Sequence, residues 1–184
     1  FRGNFRSDLI HPFPDAPEKR PEFEEFYEKV RLFLRDEGDA DKIDREGQIP
    51  PGIVQGLREL GCFGMKIPTE YGGEGGSFTD AGVLFEELGR GPVPGPHISS
   101  AGLAALTILE GGTEEQKKEW LPRMATGEVR MVAAITEADY GWLEGDVHLT
   151  AKANGGGYSL NGKKAYVYDG ESATHLLCAA RSEE

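Results

Sequence analysis

The sequence predicts an α+β protein in which an N-terminal α-helical bundle domain is followed by an antiparallel β-domain. Before residue 127 the apolar side chains recur at helical spacing. From Val129 onward they alternate, or form short β-branched and aromatic runs between glycine turns. We therefore divide the chain into an arm at 1–20, a helical domain at 21–127 and the first part of a β-barrel-like domain at 128–184.

Composition excludes several classes of protein. The formal net charge of −12 argues against a nucleic-acid binder, because phosphate binding needs clustered lysine and arginine. The apolar runs are too short to span a membrane, and the N-terminus lacks the order of a signal peptide, so we expect a cytoplasmic protein without a membrane partner. Cys62 and Cys178 have neither metal spacing nor a disulfide framework, and we expect reduced thiols.

The arm contains prolines and no steady apolar period, and we expect it to pack through Leu9, Ile10 and Phe13. The first helix is predicted after Pro21, because apolar residues then follow at the spacing of one helix face. Proline at its start and Gly38 near its end fit the usual preferences of helix termini.

Two further helices are predicted around a polar connector and a glycine-rich segment. Residues 39–49 are interpreted as the connector, and a helix begins at Pro50–Pro51 and ends at Gly61. Another helix is predicted over 79–90, with Thr79 as the N-cap candidate. The glycines between 64 and 76 lack the spacing of a phosphate-binding motif, so a tight loop between helices is favoured over a phosphate cradle.

The last two helices differ in character. Residues 97–110 are dense in small and apolar side chains, which predicts a helix that is buried or lines a cavity. Thr113 and Gln116 form a predicted capping box that starts a helix reaching about Ala125.

Four segments of the remaining sequence predict β-strands. VRMVAAIT, VHLTAKA and HLLCAARS have strand character, and Asn161–Gly162 within GGGYSLNGKKAYVY is a strong hairpin signal. Antiparallel strands that begin in this way need more partners to close a sheet, so we expect the β-domain to continue beyond Glu184.

In its order of motifs the chain resembles the flavin-dependent acyl-CoA dehydrogenases. The matching segments run from the second helix to the last strand, and they are LRELGCFGMKIPTEYGGEGGS (57–77), FEELGR (85–90), GTEEQKKEWLPRMATGE (112–128), AAITE (133–137) and YSLNGKKAYVYDG (158–170) followed by LLCAARS. The resemblance implies the helical N-terminal domain and middle β-domain of that family. It also implies a C-terminal helical domain that this sequence does not contain.

The resemblance also implies an FAD site on the β-domain. Thr136 matches the threonine that donates to the flavin ring, and Ala133 and Ile135 offer adjoining contacts. Tyr166 matches an aromatic residue that packs on the ring, whereas Tyr168 stands where the family has threonine or serine. The alternative is that these tyrosines, with Tyr158, form only a cross-strand aromatic cluster.

A second departure lies in residues 138–146. The family has a compact turn whose serine reaches the flavin pyrophosphate, whereas here the turn is longer and Gly145 takes the place of the serine. The backbone N–H groups of a glycine turn can still cradle phosphate, but Glu144 would repel it. The segment therefore either binds FAD in an altered way or serves another ligand.

The helix at 97–110 matches the family's wall of the acyl pocket, which places Ser99 and Leu103 near an acyl-CoA substrate. The alternative is that its small residues serve only close packing. In the family the catalytic base is a glutamate of the C-terminal domain, so no catalytic residue is assigned here. Glu137 belongs to the β-domain motif and is not assigned as the base. His97, His148 and His175 have no metal spacing.

Three functions remain open from sequence. The first is an oxidoreductase of fatty acid and lipid metabolism that dehydrogenates acyl-CoA thioesters at the α,β-bond, with electron-transferring flavoprotein as acceptor. The second is a non-catalytic dehydrogenase-like subunit paired with an active partner, favoured by the changes at Tyr168 and Gly145. The third is a binding module without flavin. In the first two cases we expect a homo- or hetero-oligomer, a dimer or tetramer, because an open sheet edge needs cover.

Overall fold

Helices dominate the first two thirds of the chain and strands the last third. The structure is a computed structural model that describes residues 20–182 except 92, 94, 140 and 142. The α-helices run over Pro21–Glu37 (α1), Ala40–Glu46 (α2), Pro51–Glu59 (α3), Phe78–Arg90 (α4), Ala105–Gly111 (α5) and Glu114–Ala125 (α6). The strands are Met131–Ala134 (β1), Thr150–Asn154 (β2), Gly157–Asn161 (β3), His175–Cys178 (β4) and Arg181–Ser182 (β5). The predicted α+β class is confirmed, whereas the predicted packing of the N-terminal arm lies outside the described residues.

The α1 helix forms because its apolar residues fall on one face. Pro21 occupies its first turn, and Phe23, Tyr27, Val30 and Leu34 are buried. This face packs on α3 and α4 in a core that also contains apolar residues of the intervening turns. Burial of such a face is the main source of stability for a helix in water.

One additional helix and one different helix start distinguish the structure from the sequence prediction. The segment interpreted as a polar connector contains α2, which begins where the Asp39 carboxylate accepts a hydrogen bond from the Lys42 N–H at 2.9 Å. Ile43 is its one buried residue, too little to give a periodic signal. The α4 helix is capped by Ser77 and not by Thr79, because Asp80 completes a capping box with Ser77.

The glycine-rich segment between α3 and α4 is a tight loop, as favoured from sequence. Its N–H groups are used internally: those of Glu74, Gly75 and Gly76 donate to carbonyls of Gly64, Ile67 and Met65. A Cβ added at Gly73 would lie 2.1 Å from the Ile67 carbonyl oxygen. Glycine is needed there for a close backbone crossing, and these three N–H groups are not free to bind phosphate.

The helix predicted at 97–110 has two parts. Its first part, His97–Ala104, is wound as a π-helix and joins α5 directly. Thr113 and Gln116 then form the predicted capping box of α6. Side chains of α5, α6 and β1 share a second core, with Leu121, Val129 and Met131 among its buried members.

The strands form two small sheets. β1 pairs with β4 in parallel, and β2 pairs with β3 in antiparallel and with β5 in parallel. Among the described strands only one pair is therefore antiparallel, which differs from the predicted arrangement. The reason is that 175–182 runs alongside β1 and then crosses to β2, where the Arg181 N–H donates to the Leu149 carbonyl at 2.8 Å. Alternation of side chains reveals strands but not their direction.

The hairpin turn also lies elsewhere than predicted. Asn154 and Gly157 close the β2–β3 hairpin, and the two turn residues, Gly155 and Gly156, have φ angles of 55° and 95°. A two-residue hairpin turn with both φ values positive favours glycine, so this pair takes the role predicted for Asn161–Gly162. Asn161 instead ends β3.

Within the part of the chain that the structure describes, no helix is both long enough and apolar enough to cross a membrane. The two cysteines are free, Cys62 in the first core and Cys178 half-buried on β4.

Candidate functional site

Three segments meet where β1 ends. They are residues 135–137 after β1, the loop at 162–170, and the π-helix His97–Ala104. The Ala165 N–H donates to the Thr136 carbonyl at 2.9 Å, and the Ser99 hydroxyl donates to the Asp169 carboxylate. Residues far apart in sequence are thus joined through backbone and side-chain hydrogen bonds. We call this region the β1-end site.

Glu137 is the most strongly bonded group of the β1-end site. Its side chain is only 10% exposed, and its carboxylate accepts from the Lys164 ammonium at 2.7 Å, the Leu149 N–H at 2.9 Å and the His148 N–H at 3.1 Å. The hydrogen bond from Lys164, followed by those from the backbone, lowers the pKa of Glu137 to about 2. A carboxylate that is ionised and saturated with donors is a structural anchor and a poor proton acceptor.

Lys164 is held as firmly as Glu137. Its side chain is 6% exposed, and its ammonium also donates to the Ile135 carbonyl at 3.0 Å. A buried ammonium is costly unless it is paired, and here the partners are supplied by residues 135 and 137. Lys164 therefore closes the loop at 162–170 onto the end of β1.

Thr136 lies between these two anchored residues and is half-buried. Its carbonyl is used by Ala165, but its hydroxyl has no hydrogen-bond partner among the residues that the structure describes. The neighbouring Ile135 side chain is 53% exposed. The β1-end site thus combines a threonine whose backbone is held by Ala165 with the exposed apolar side chain of the preceding residue.

The loop at 162–170 contains the other predicted flavin contacts. Residues 163–168 form no strand, so the neighbouring strand expected there is wrong, and with it the basis for a cross-strand cluster of tyrosines. Tyr166 has a φ of 52° and is 68% exposed, while Tyr168 is 85% exposed. Asp169, at φ 57°, turns the chain so that its carboxylate meets Ser99. The tight turns of this loop replace a regular strand.

The π-helix provides the opposite side of the site. Ser99 is buried and its hydroxyl donates to the Asp169 carboxylate, whereas the Leu103 side chain is half exposed. Ala101 and Ala104 are buried in the core and do not line an open slot. These two small residues therefore serve close packing, the alternative that the sequence left open.

His97, at the start of the π-helix, is a buried histidine with an unpaired ring nitrogen among the described residues. Its ring packs on Phe63 with centroids 4.6 Å apart, and its Nδ1 has no hydrogen-bond partner among the described residues. Burial lowers the pKa of His97 to about 4, against an opposing effect of the Asp169 charge. The imidazole is therefore neutral at pH 7.

The turn at 138–146 is organised by hydrogen bonds to β5 and within itself. The Leu143 N–H donates to the Asp146 carboxylate at 2.8 Å, and the Arg181 guanidinium donates to the Glu144 carbonyl at 2.9 Å. Gly145 is exposed, and an added Cβ there would meet nothing within 4 Å. His148 lies 3.1 Å from the Asp139 carboxylate at the base of the turn.

The structure brings some predicted site residues together and leaves others apart. Ile135, Thr136 and Tyr166 share the junction of β1 with the 162–170 loop. Ala133 is half-buried within the β1–β4 ladder, opposite Leu177, and Gly145 belongs to the separate turn pinned by Arg181.

Sequence reasoning missed Lys164 and Asp169, which join the three segments of the site. The available signals were a pair of lysines, of which Lys164 is the second, after Asn161–Gly162, and an aspartate followed by glycine. Neither signal names its partner. Within the described residues no group of three or more His, Cys, Asp or Glu side chains is arranged to hold a metal ion.

Comparison with known proteins gives the family context of this geometry. Residues 20–128 match the family model for the N-terminal domain of acyl-CoA dehydrogenases. The chain is 39% identical over 191 aligned positions to the probable acyl-CoA dehydrogenase FadE10 of Mycobacterium tuberculosis, an alignment that covers 98% of this chain and 28% of FadE10.

Solved structures agree with the sequence comparison. An acyl-CoA dehydrogenase from Geobacillus kaustophilus superposes with a TM-score of 0.76 at 29% identity, covering 91% of this chain and 45% of that one. A chain of the ChsE4–ChsE5 complex from Mycobacterium tuberculosis superposes with a TM-score of 0.73 at 25% identity, covering 91% and 44%. The chain thus spans less than half the length of these relatives, and it belongs to the acyl-CoA dehydrogenase family.

Proposed function

We propose that the protein containing this chain dehydrogenates an acyl-CoA thioester at its α,β-bond with FAD as cofactor. In this proposal the β1-end site holds the flavin ring and the π-helix forms one side of the acyl slot. The observation that carries the proposal is the Thr136 hydroxyl, which has no hydrogen-bond partner among the described residues and lies at the junction that also carries the exposed Ile135 and Tyr166. Membership in a family of flavoproteins supports the same assignment.

The residues at the β1-end site fit a flat ring with a polar rim. Ile135 and Tyr166 provide accessible apolar surface, Ala133 lies in the adjoining strand, and Thr136 provides one free donor at a fixed position. Ligand sites of this kind combine apolar walls with a few fixed polar groups. When bound, FAD would accept the hydride that leaves the β-carbon of the substrate.

The chain's own residues would bind and orient the reactants. The Thr136 hydroxyl would donate to the polar rim of the ring, and Tyr166 and Tyr168 would cover it from water. Leu103 would contact the acyl chain, while Ser99 would hold the π-helix against Asp169 behind it. The α-proton needs a base other than Glu137, whose pKa of about 2 and saturated oxygens disqualify it.

The turn at 138–146 supports a second candidate, a non-catalytic subunit that pairs with an active one. Glu144 places a carboxylate next to Gly145, where the resemblance expects contact with the flavin pyrophosphate, and like charges repel there. Tyr168 replaces a small hydroxyl residue with an exposed phenol. The ChsE4–ChsE5 complex is a related assembly of two different chains.

Partners and location follow the same proposal. We infer acyl-CoA as substrate, electron-transferring flavoprotein as electron acceptor, a homo- or hetero-oligomer of two or four subunits, and a cytoplasmic site of action. In the described part of the chain β3 lies at the edge of its sheet and its five residues are all exposed, which supports association with further strands or subunits.

The decisive experiment uses the purified full-length protein. We expect it to take up added FAD and to show a bound-flavin absorbance spectrum that bleaches when acyl-CoA is added without oxygen. Bleaching supports the enzyme, and binding without bleaching by acyl-CoA thioesters of several chain lengths supports the non-catalytic subunit. A protein that stays colourless after incubation with FAD is not a flavoenzyme, and the proposed activity fails.

A further inference from the structure

The residues on both sides of Thr136 are held by one lysine. The Lys164 ammonium donates to the Ile135 carbonyl at 3.0 Å and to the Glu137 carboxylate at 2.7 Å. Between these contacts, the Ala165 N–H donates to the carbonyl of Thr136 itself at 2.9 Å. Three consecutive residues of the β1 end are therefore fixed by two consecutive residues of the 162–170 loop.

Glu137 extends this restraint to β2. Its carboxylate accepts from the His148 and Leu149 N–H groups directly before that strand. The Glu137–Lys164 pair is almost completely shielded from water, with side-chain exposures of 10% and 6%. A pair so enclosed keeps its geometry better than a surface pair, which is screened and mobile.

We propose that Lys164 and Glu137 are positioning residues for the flavin, which act by holding the Thr136 hydroxyl where the ring's polar rim binds. This inference rests on the proposed function and names the residues on which its cofactor site depends. A donor that is already fixed loses little freedom on binding, whereas a donor on a loose segment must be ordered at a cost in affinity. The contacts that hold this segment use the backbone of Thr136, and among the described residues none of them uses its hydroxyl.

The test is a double-mutant cycle on FAD affinity in the full-length protein. The variants are Thr136→Ala, Lys164→Met and both together, with dissociation constants measured from flavin fluorescence and with the visible absorbance band recorded. We expect each single substitution to weaken FAD binding by about tenfold, the loss of one well-placed hydrogen bond. We expect the double variant to be no more than about threefold weaker than the weaker single variant, because Lys164 acts through Thr136.

Lys163→Met is the matched control. Lys163 is the adjacent residue and is exposed, and it has no hydrogen bond or ion pair with residues 135–137, so its substitution removes the same charge from the same loop and leaves the bonds of Lys164 in place. We expect its FAD affinity to stay within about twofold of wild type. Both singles should also shift the flavin absorbance band in the same direction, which a change in fold stability alone would not produce.

Clear outcomes overturn the inference. It fails if Lys164→Met binds FAD like wild type, if the two losses multiply in the double variant, or if Lys163→Met causes an equal loss. Should Lys164→Met fail to fold, judged by circular dichroism, Glu137→Gln takes its place in the cycle, since it keeps the side-chain shape and an acceptor for Leu149. A wild-type protein that does not bind FAD refutes the proposed function itself, whereas normal wild-type binding with an unaffected Lys164 variant refutes only this inference.

Discussion

His97 should make the fold sensitive to mild acid. Burial lowers its pKa from an ordinary 6.5 to about 4, so between these values the unfolded chain binds a proton that the folded chain does not. The contribution of neutral His97 is therefore complete above pH 6.5 and is lost as the pH falls toward 4. Each pH unit in this window corresponds to about 1.4 kcal/mol, so lowering the pH to 5 should cost the fold about 2 kcal/mol.

The measurement is urea unfolding of wild type and His97→Leu at pH 7.5 and pH 5, followed by circular dichroism. We expect wild type to lose about 2 kcal/mol more than the variant between the two pH values, because leucine does not titrate. Asp169 is the charged group that acts on His97, and it is present in both proteins, as are the carboxylates that titrate in acid. Each protein is compared with itself at the two pH values, so a change in stability that the substitution causes at pH 7.5 does not enter the comparison. An equal loss in both proteins would refute the reasoning.

Three further outcomes follow from packing and charge. Leu121→Ala should lower the unfolding free energy by about 2–5 kcal/mol in urea titrations, because its fully buried side chain leaves a cavity, and an unchanged midpoint would contradict this. Gly73→Ala should lower the melting temperature because its Cβ would meet the Ile67 carbonyl at 2.1 Å, whereas the matched Gly52→Ala in α3, with nothing within 4 Å, should not. The stability that ionised Glu137 contributes should be present above pH 4.5 and lost as the pH falls toward 2. Acid unfolding of Glu137→Gln, followed by circular dichroism, should therefore be less steep than that of wild type. Equal steepness would argue against the role of Glu137 as a structural anchor.

Sequence reasoning succeeded where the cause of a structure is local. The face of α1 and the capping box of Thr113 and Gln116 depend on spacings of three and four residues, which the sequence displays directly. It failed for α2, which buries only Ile43, because a short helix held by one apolar contact has no visible period. It placed the N-cap of α4 at Thr79, whereas Ser77 is the cap because Asp80 lies at the position that completes the box.

The candidate site was harder to predict because its bonds are long-range. Glu137 and Lys164 are 27 positions apart, and Ser99 and Asp169 are 70 positions apart. Nothing in a single sequence pairs such residues, since each looks like an ordinary surface group until the chain folds. Thr136 was identified only through its motif. The structure adds that Lys164 holds the residues on both sides of it, Ile135 and Glu137.

The way polar groups are used at the β1-end site indicates what kind of ligand it suits. The charged groups Glu137 and Lys164 are bonded to each other, and Ser99 is bonded to Asp169, so these four offer little to an incoming ion. Among the described residues the half-buried Thr136 hydroxyl has no hydrogen-bond partner, and exposed apolar and aromatic side chains lie on all three segments. A highly charged ligand would lose its hydration there without gaining partners, whereas a flat, largely uncharged ring would lose little and gain contact area. The same division explains why removing Lys164 should act on the largely uncharged flavin ring through the geometry of Thr136, since the Lys164 ammonium is already paired with Glu137.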